Sequence, residues 1–343
     1  MQLPQAENFQ IEQHSPSTAQ DWAKALFKYR QPDDLRALFE LFITAVPLAA
    51  LWGLMAVSLQ FSYLLTAALA LPTAGFLLRT FMIQHDCGHG SFFKSRAAND
   101  WIGRIAGVFT LTPYSFWKNS HALHHSGSGC LEKRGSGDID TMTVSEYRAA
   151  TKWQRWRYRL YRHPLVMFGI GPSYLFLLQH RLPAGSMRGG WRPWASVMGT
   201  NLSVVIVVAI AIHQLGALNF ALIYLPVVLI AASIGVWLFF VQHQFEHTSW
   251  DELDEWNLHS AALHGSSHYD LPPVLRWITA NIGIHHVHHL CSRIPYYRLC
   301  RVLEDYPELN NVSRLTLTDS FGCVRLVLWD ESKRRLVSFH QAA

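Results

Sequence analysis

Two long stretches of this chain carry no charged side chain. No Asp, Glu, Lys or Arg occurs from residue 41 to 78, nor from residue 193 to 245. One membrane crossing needs about 20 apolar residues, so each stretch is too long for one crossing and long enough for two. Short polar interruptions at 58–62 and 213–219 mark the turns. The pattern predicts two transmembrane hairpins, with spans at about 37–57, 63–83, 195–212 and 220–242.

These hairpins predict an all-α integral membrane protein with four transmembrane helices and a helical cap. The span lengths disfavour the alternative, a buried helical hairpin in a large soluble core. Because a hairpin enters and leaves the bilayer on the same side, everything outside the two turns lies on one face. Neither turn holds Lys or Arg, so all 29 basic residues fall on that face, which the positive-inside rule assigns to the cytoplasm.

We expect a single membrane domain over residues 1–343. Its predicted parts are a polar N-terminal segment (1–34), the first hairpin (35–84), a cytoplasmic region (85–192), the second hairpin (193–243) and a further cytoplasmic region (244–343).

The composition agrees with a membrane protein that has a large polar part. Half of the 343 residues are hydrophobic and only 15% are charged, against about 25% in soluble globular proteins. The mean hydropathy of +0.09 excludes a bundle that lies entirely in the bilayer. The net charge of +5 fits a basic membrane face attracted to anionic headgroups, and it indicates no nucleic-acid partner. The 19 histidines are unusual beside only 24 Asp plus Glu, and they suggest a metal site at the membrane.

Histidines gather in four motifs on the predicted cytoplasmic face. The motifs are Gln84-His-Asp-Cys-Gly-His-Gly90, His121-Ala-Leu-His-His125, Val241-Gln-His-Gln-Phe-Glu-His247 and Gly283-Ile-His-His-Val-His-His-Leu290. Spacings of three and four put imidazoles on one face of a helix, whereas His286 points about 100° away from His285. Without a metal, such crowded imidazoles would repel one another once protonated. The motifs therefore predict a metal site, with enough ligands for two ions that take four or five each.

The donor type alone does not choose the metal. Imidazole binds iron, zinc and copper alike. A nitrogen-rich dinuclear site at a bilayer surface favours iron that activates dioxygen, and the absence of HExxH disfavours a zinc hydrolase. The alternative from a different class is a metal transporter or metal-binding protein. Such a protein would place ionisable residues inside its spans, and the four predicted spans of this chain contain almost none.

The histidine motifs resemble the three histidine boxes of membrane fatty acid desaturases of the bacterial acyl-lipid type. The boxes are His85-Asp-Cys-Gly-His-Gly-Ser-Phe-Phe93, His121-Ala-Leu-His-His125 and His285-His-Val-His-His289, and the similarity extends through 241–299. The resemblance implies insertion of a double bond into the acyl chain of a membrane phospholipid or glycolipid, with O2 as oxidant and a di-iron centre as cofactor. It also implies a bacterial inner membrane protein whose active site lies on the cytoplasmic face.

The resemblance further implies nine metal ligands and no catalytic residue apart from them. The implied ligands are His85, His89, His121, His124, His125, His243, His285, His288 and His289. His243 fits the family's additional histidine better than His247, which a continuing helix would place one turn away. In the related acyl-CoA desaturases an asparagine one turn before this histidine holds a metal-bound water, and here that position is Phe239. Candidates for a replacement are Gln244, Asn257 and Asn281.

Acidic residues beside the boxes are candidates for orienting the imidazoles, as metal-bound histidines usually require. They are Asp86, Glu246, Asp138 and Asp140. For Asp138 and Asp140, an exposed turn or a helix cap is an equal alternative.

The implied reaction needs two electrons from a partner. The chain has neither the HPGG element of a fused cytochrome b5 nor a GxGxxG loop, so we expect a separate ferredoxin-like carrier. The basic stretch Lys152–Arg162 is a candidate docking surface, and the alternative is an interfacial helix that binds lipid headgroups. The same scaffold also fits a hydroxylase, an epoxygenase or a ketolase.

Overall fold

The structure, a computed structural model, describes residue 16 and residues 18–135, 138–183 and 190–342. Residues 1–15 and 17 of the predicted N-terminal segment lie outside the described residues. The α-helices of the described part are α1 (Ala19–Ala25), α2 (Asp34–Ser58), α3 (Tyr63–His89), α4 (Arg96–Phe109), α5 (Tyr114–Gly127), α6 (Val144–Ala149), α7 (Lys152–Tyr161), α8 (Gly171–Leu177), α9 (Trp191–Leu215), α10 (Ala217–His243), α11 (Leu258–His264), α12 (Pro273–Ile278), α13 (His285–Leu290), α14 (Tyr296–Asp305) and α15 (Leu317–Ser320). The strands are β1 (His268–Asp270), β2 (Arg314–Thr316), β3 (Leu328–Asp330) and β4 (Arg335–Val337).

Four of these helices, α2, α3, α9 and α10, are long and apolar enough to cross a membrane. They confirm the four predicted spans and the all-α class, since the strands of the described part are only three residues each. Each helix is longer than its predicted span, because it continues at one or both ends beyond the apolar stretch that was used to place the span. The difference matters most in α3, which continues past residue 83 to His89 and so carries the first histidine box.

The helices pair as two antiparallel hairpins. Near the turn of the first hairpin the hydroxyls of Ser58 and Thr66 lie 2.7 Å apart, and near its open end Arg79 Nε donates to Thr44 Oγ1 at 3.1 Å. A buried apolar cluster that includes Ala74, Leu77 and Val227 packs α3 against α10. The most apolar window of α9 is only 6% buried, so this helix has the largest surface free for lipid.

The cap is formed by residues 18–33, which include α1, and by residues 90–135, 138–183 and 244–342. Two β-bridges join parts of the cap, one between Cys130 and Asp251 and one between Thr143 and Trp329. The strands add small pairings, β1 parallel to β2 and β3 antiparallel to β4. A buried cluster packs the cap helices α13 and α14 against the ends of α3 and α10. The cap therefore closes over the open end of both hairpins, where two of the histidine motifs lie at the ends of α3 and α10.

A buried ion pair lies near this end of the first hairpin, and it was not predicted from the sequence. Arg79 and Glu40 form it, and both side chains are 2% exposed. Glu40 also accepts hydrogen bonds from Arg36 Nε at 2.9 Å and from the Tyr296 hydroxyl at 3.2 Å. Because Tyr296 opens α14, this network fixes the cap to α2 and α3.

Candidate metal centre

All nine predicted ligand histidines converge where α3 and α10 end. They fall into two groups, and within each group the candidate ligand nitrogens lie within 4.8 Å of one another. The first group has five members: His85, His89, His121, His125 and His288. The second group has four members: His124, His243, His285 and His289.

Three short helical segments position most of these side chains. His85 and His89 are one turn apart on the last part of α3, which stops at Gly90, a residue with φ +67° that suits glycine. The histidines of the second box lie on α5 and those of the third box on α13. His243 is the last residue of α10.

Both α5 and α13 contribute to both groups. Neighbours on a helix point about 100° apart, so His124 faces the second group while His125 faces the first. His288 and His289 divide in the same way. The rings of His125 and His289 stack with their centroids 4.1 Å apart, which shows how closely the two groups approach.

The spacing of the ring nitrogens fits metal ligands. In the first group the Nε2 atom of His121 lies 3.1 Å from those of both His89 and His125. In the second group the Nε2 atoms of His243 and His285 are 3.0 Å apart. Two nitrogens bound at about 2.1 Å to one ion, at a right angle to each other, are about 3.0 Å apart. The donor set therefore fits an ion in each group.

Burial lowers the pKa of five ligand histidines on α5 and α13. Loss of hydration, reinforced by neighbouring imidazoles, holds these pKa values far below the usual range; the five are His121, His125, His285, His288 and His289. A neutral imidazole offers a lone pair to a metal, whereas a protonated one does not. These five imidazoles are therefore in the metal-binding protonation state throughout the neutral pH range.

Two of the four candidate acids contact ligand histidines. Asp86 Oδ1 lies 3.1 Å from His85 Nδ1, and its other oxygen accepts the backbone N–H of Tyr296 at 2.7 Å. Asp138 forms a hydrogen bond with His124 Nδ1. In both cases the carboxylate assigns the N–H to Nδ1 and leaves Nε2 free to face its group.

The other candidates near the boxes lie away from both groups. The side chains of Glu246, His247 and Asp140 are exposed. His247 does not sit one turn from His243, because α10 ends at His243 and Gln244 leaves the helical conformation. His286 points away from the groups, as predicted, and its Nε2 lies 3.0 Å from the Leu309 carbonyl oxygen.

No candidate amide takes the place of the family's asparagine among the described residues. Gln244 accepts a hydrogen bond from Arg162 at 3.1 Å, Asn257 caps α11, and Asn281 donates to the Tyr296 carbonyl at 3.0 Å. The Phe239 ring packs against His124 and His243, with centroid distances of 5.0 and 5.3 Å. An apolar wall therefore borders the second group at this position.

Trp117 was not among the predicted site residues, although it contacts the first group. Its ring stacks on His121 with the centroids 4.6 Å apart and an interplanar angle of 15°. Trp117 precedes His121 by four residues on α5, and residues at this spacing share a helix face. This spacing of four residues in the sequence could have predicted that Trp117 lies beside His121.

Replacing Asp138 is expected to weaken metal binding. In Asp138→Ala, His124 loses the carboxylate that holds its tautomer and ring orientation, a change that typically costs about 10- to 100-fold in metal affinity. Competition between the purified protein and a chelator measures the affinity. Asp140→Ala, an exposed change two residues away, is the control and should bind metal like the unaltered protein. Equal affinity in both variants would refute the orienting role.

Comparisons with known proteins match this chain to fatty acid desaturases. The model of the family described as fatty acid desaturase matches residues 61–314. A fatty acid desaturase of Bacillus subtilis is 44% identical over 92% of this chain and 89% of its own length. An sn-1 acyl-lipid omega-3 desaturase (ferredoxin) of Synechocystis is 30% identical over 65% of this chain and 62% of its own length. An sn-1 oleoyl-lipid 12-desaturase of the same organism is 27% identical over 65% and 63%.

Proposed function

Because this chain belongs to the fatty acid desaturase family, we propose that it inserts a double bond into the acyl chain of a membrane phospholipid or glycolipid at a di-iron centre. The observation that carries the proposal is the pair of adjacent groups of five and four imidazoles at the open end of the two membrane hairpins. The Synechocystis relatives, whose names specify acyl-lipid and oleoyl-lipid substrates, support a lipid-linked substrate.

The proposed reaction removes two hydrogens from adjacent carbons of the acyl chain. O2, the two hydrogens, two protons and two electrons leave as two molecules of water. No side-chain acid or base breaks an unactivated C–H bond, and two bound irons would supply the O2 chemistry that does.

The chain's own residues would hold and shield that centre. The nine histidines supply neutral nitrogen donors, and Asp86 and Asp138 fix the orientation of His85 and His124. Trp117 and Phe239 place aromatic surfaces against the histidines, which keeps bulk water away from them.

The proposed function is tested by expressing the chain in a bacterium with a simple lipid profile and analysing its fatty acids. A new double bond in membrane lipids is the expected result. The structure of the product then gives the position of that double bond in the acyl chain. A new hydroxyl, epoxide or keto group in the lipids would show that the protein is a hydroxylase, an epoxygenase or a ketolase instead of a desaturase. Unchanged lipids, in cells that contain iron-loaded protein and a working electron donor, would refute both.

We further propose that the electron donor is an acidic ferredoxin-like carrier that docks on α7. A concavity of about 380 Å³ there is lined by four cations, Arg148, Lys152, Arg155 and Arg159. None of the four forms an ion pair with a carboxylate among the described residues. The relative whose name includes ferredoxin supports this donor class.

Reversing one of these charges should weaken the use of the donor. Lys152→Glu is expected to raise the KM for a reduced ferredoxin several-fold at low salt and much less at high salt, since exposed charges act mainly on encounter. The change suits the fold, because Lys152 is the first residue of α7 and a helix start favours a negative charge. Arg157→Glu, an equal change on α7 outside the concavity, is the control. Equal KM values for both variants would contradict the proposal that the donor docks on α7.

We also propose that the cap faces the cytoplasm of a bacterial inner membrane. The short turns at the opposite end of the hairpins contain no Lys or Arg, which fits the positive-inside rule. A fluorescent protein fused to the C-terminus should therefore fluoresce, and an alkaline phosphatase fused there should be inactive. The reverse pair of results would place the cap outside.

A further inference from the structure

A groove of about 700 Å³ runs between α4, α5 and the first half of α9. On α5 it is lined by residues such as Ser115 and Asn119, whereas His121 and His124 point to the metal centre from another face of the same helix. The groove is therefore separate from the site of the proposed reaction.

One end of the groove is cationic. Arg104, Lys118 and Arg192 line it, and Lys118 pairs with Asp100 at 3.3 Å. Arg104 and Arg192 have no carboxylate partner among the described residues, so the end keeps an excess of positive charge. Trp101 and Trp191 are 64% and 74% exposed there, and tryptophans with this exposure are typical of the membrane interface.

The rest of the groove is lined by small side chains of α9 and by apolar side chains of α4. Small residues of α9 form its floor: Ala195, Ser196, Gly199, Thr200 and Ser203. The hydroxyls of Thr200 and Ser203 donate back to carbonyls of α9 at 2.9 and 3.0 Å, so they present no unused donor. On α4, Ile105 and Val108 line the groove as well. A Cβ atom built on Gly199 would meet no other atom within 4 Å, which shows that the groove is open at this point.

The length of the groove matches one leaflet of a bilayer. Its lining on α9 runs from Trp191 to Ser203, which is about 18 Å of helix. Half of a hydrocarbon core of about 30 Å is about 15 Å. A lipid of the leaflet beside the cap would thus place its phosphate among the arginines and one acyl chain along the small residues.

We propose that this groove binds one anionic phospholipid as a resident lipid that is not the substrate. The positive end selects the phosphate, and the floor of small residues, whose Thr200 and Ser203 hydroxyls are already bonded within α9, takes the chain. The lipid bridges α4 and α5 to α9 and so supports the helix that carries the second histidine box. The inference depends on the membrane placement of α9 and not on the proposed reaction, so it stands or falls separately from desaturation.

Filling the groove tests the proposal without disturbing the protein core. Gly199→Phe places a ring in open space and replaces glycine by a better helix former. Leu202→Phe, on the same helix and 62% exposed but outside the groove lining, is the matched control. Native mass spectrometry of the detergent-purified proteins counts the retained lipids. The unaltered protein and Leu202→Phe should each retain one phospholipid, and Gly199→Phe should retain none.

The charge requirement is tested by titrating delipidated protein with phosphatidylglycerol and with diacylglycerol, which lacks the phosphate. The unaltered protein should bind phosphatidylglycerol at least tenfold more tightly, and an Arg104→Gln, Arg192→Gln double variant should lose that preference. Equal binding of the two lipids, or equal lipid retention in Gly199→Phe and Leu202→Phe, would overturn the proposal. Desaturation of the retained lipid in a single turnover would overturn its resident role. Loss of a dimer in Gly199→Phe, with no change in bound lipid, would assign the groove to a second copy of the chain instead.

Discussion

A His288→Ala protein is expected to show no detectable desaturase activity and to bind fewer metal ions than the unaltered chain. His288 is 1% exposed, and its Nε2 lies 3.2 Å from that of His125 within the first group. Alanine removes a donor nitrogen that no neighbouring side chain replaces. Loss of an orienting partner alone typically costs about 10- to 100-fold, so loss of a ligand should exceed 100-fold. Fatty acid analysis of expressing cells and metal analysis of purified protein provide the two readouts.

The matched control is His247→Ala. His247 belongs to the same set of histidine motifs, but its side chain is exposed and lies outside both groups. This variant should keep near-normal activity and metal content. Full activity in His288→Ala, or inactivity in His247→Ala, would contradict the assignment of the first group.

The second large effect is expected from Glu40→Ala. This variant should have a free energy of unfolding lower by about 3–5 kcal/mol. The reason is that the substitution leaves the buried Arg79 without its carboxylate partner. Unfolding in mixed micelles with increasing denaturing detergent measures the change. A Glu40→Met, Arg79→Met double variant removes both charges and should recover much of the loss.

The control for this prediction is an ion pair on the surface. Arg301 lies 4.0 Å from Asp305 and its side chain is 73% exposed, so Arg301→Ala should cost less than about 1 kcal/mol. A Glu40→Ala protein as stable as Arg301→Ala would contradict a structural role for the buried pair.

The same network connects the membrane hairpin to a ligand. Tyr296 donates its hydroxyl to Glu40 and its backbone N–H to Asp86, and Asp86 in turn contacts His85. Loss of Glu40 should therefore also loosen the contact that orients His85. The position of the cap over the hairpins and the geometry of the first group depend on one chain of hydrogen bonds.

The spans and the convergence of the histidines were predictable from sequence for physical reasons. A charge-free stretch of 38 or 53 residues has few stable alternatives to a membrane hairpin, and paired hairpins return the chain to one side. The helical spacings of the boxes put imidazoles on shared faces. These features are local, so a single sequence contains them.

The division into five and four ligands was not predictable in the same way. His124 and His125 are neighbours in sequence yet belong to different groups, and the partner of each is decided by how α5 packs against α3, α10 and α13. The place of His247 depended on structure for a related reason: a continuing helix would put it one turn from His243, but α10 ends at His243. Likewise, only tertiary packing distinguishes Asp138, which reaches His124, from the exposed Asp140.

The central claim is that the two histidine groups each hold one iron. The most direct measurement is the metal content of active protein purified from iron-supplied cells, together with X-ray absorption at the iron edge. We expect two irons per chain, each coordinated mainly by nitrogen. A fully active protein with one iron per chain, or with zinc in place of iron, would contradict the claim.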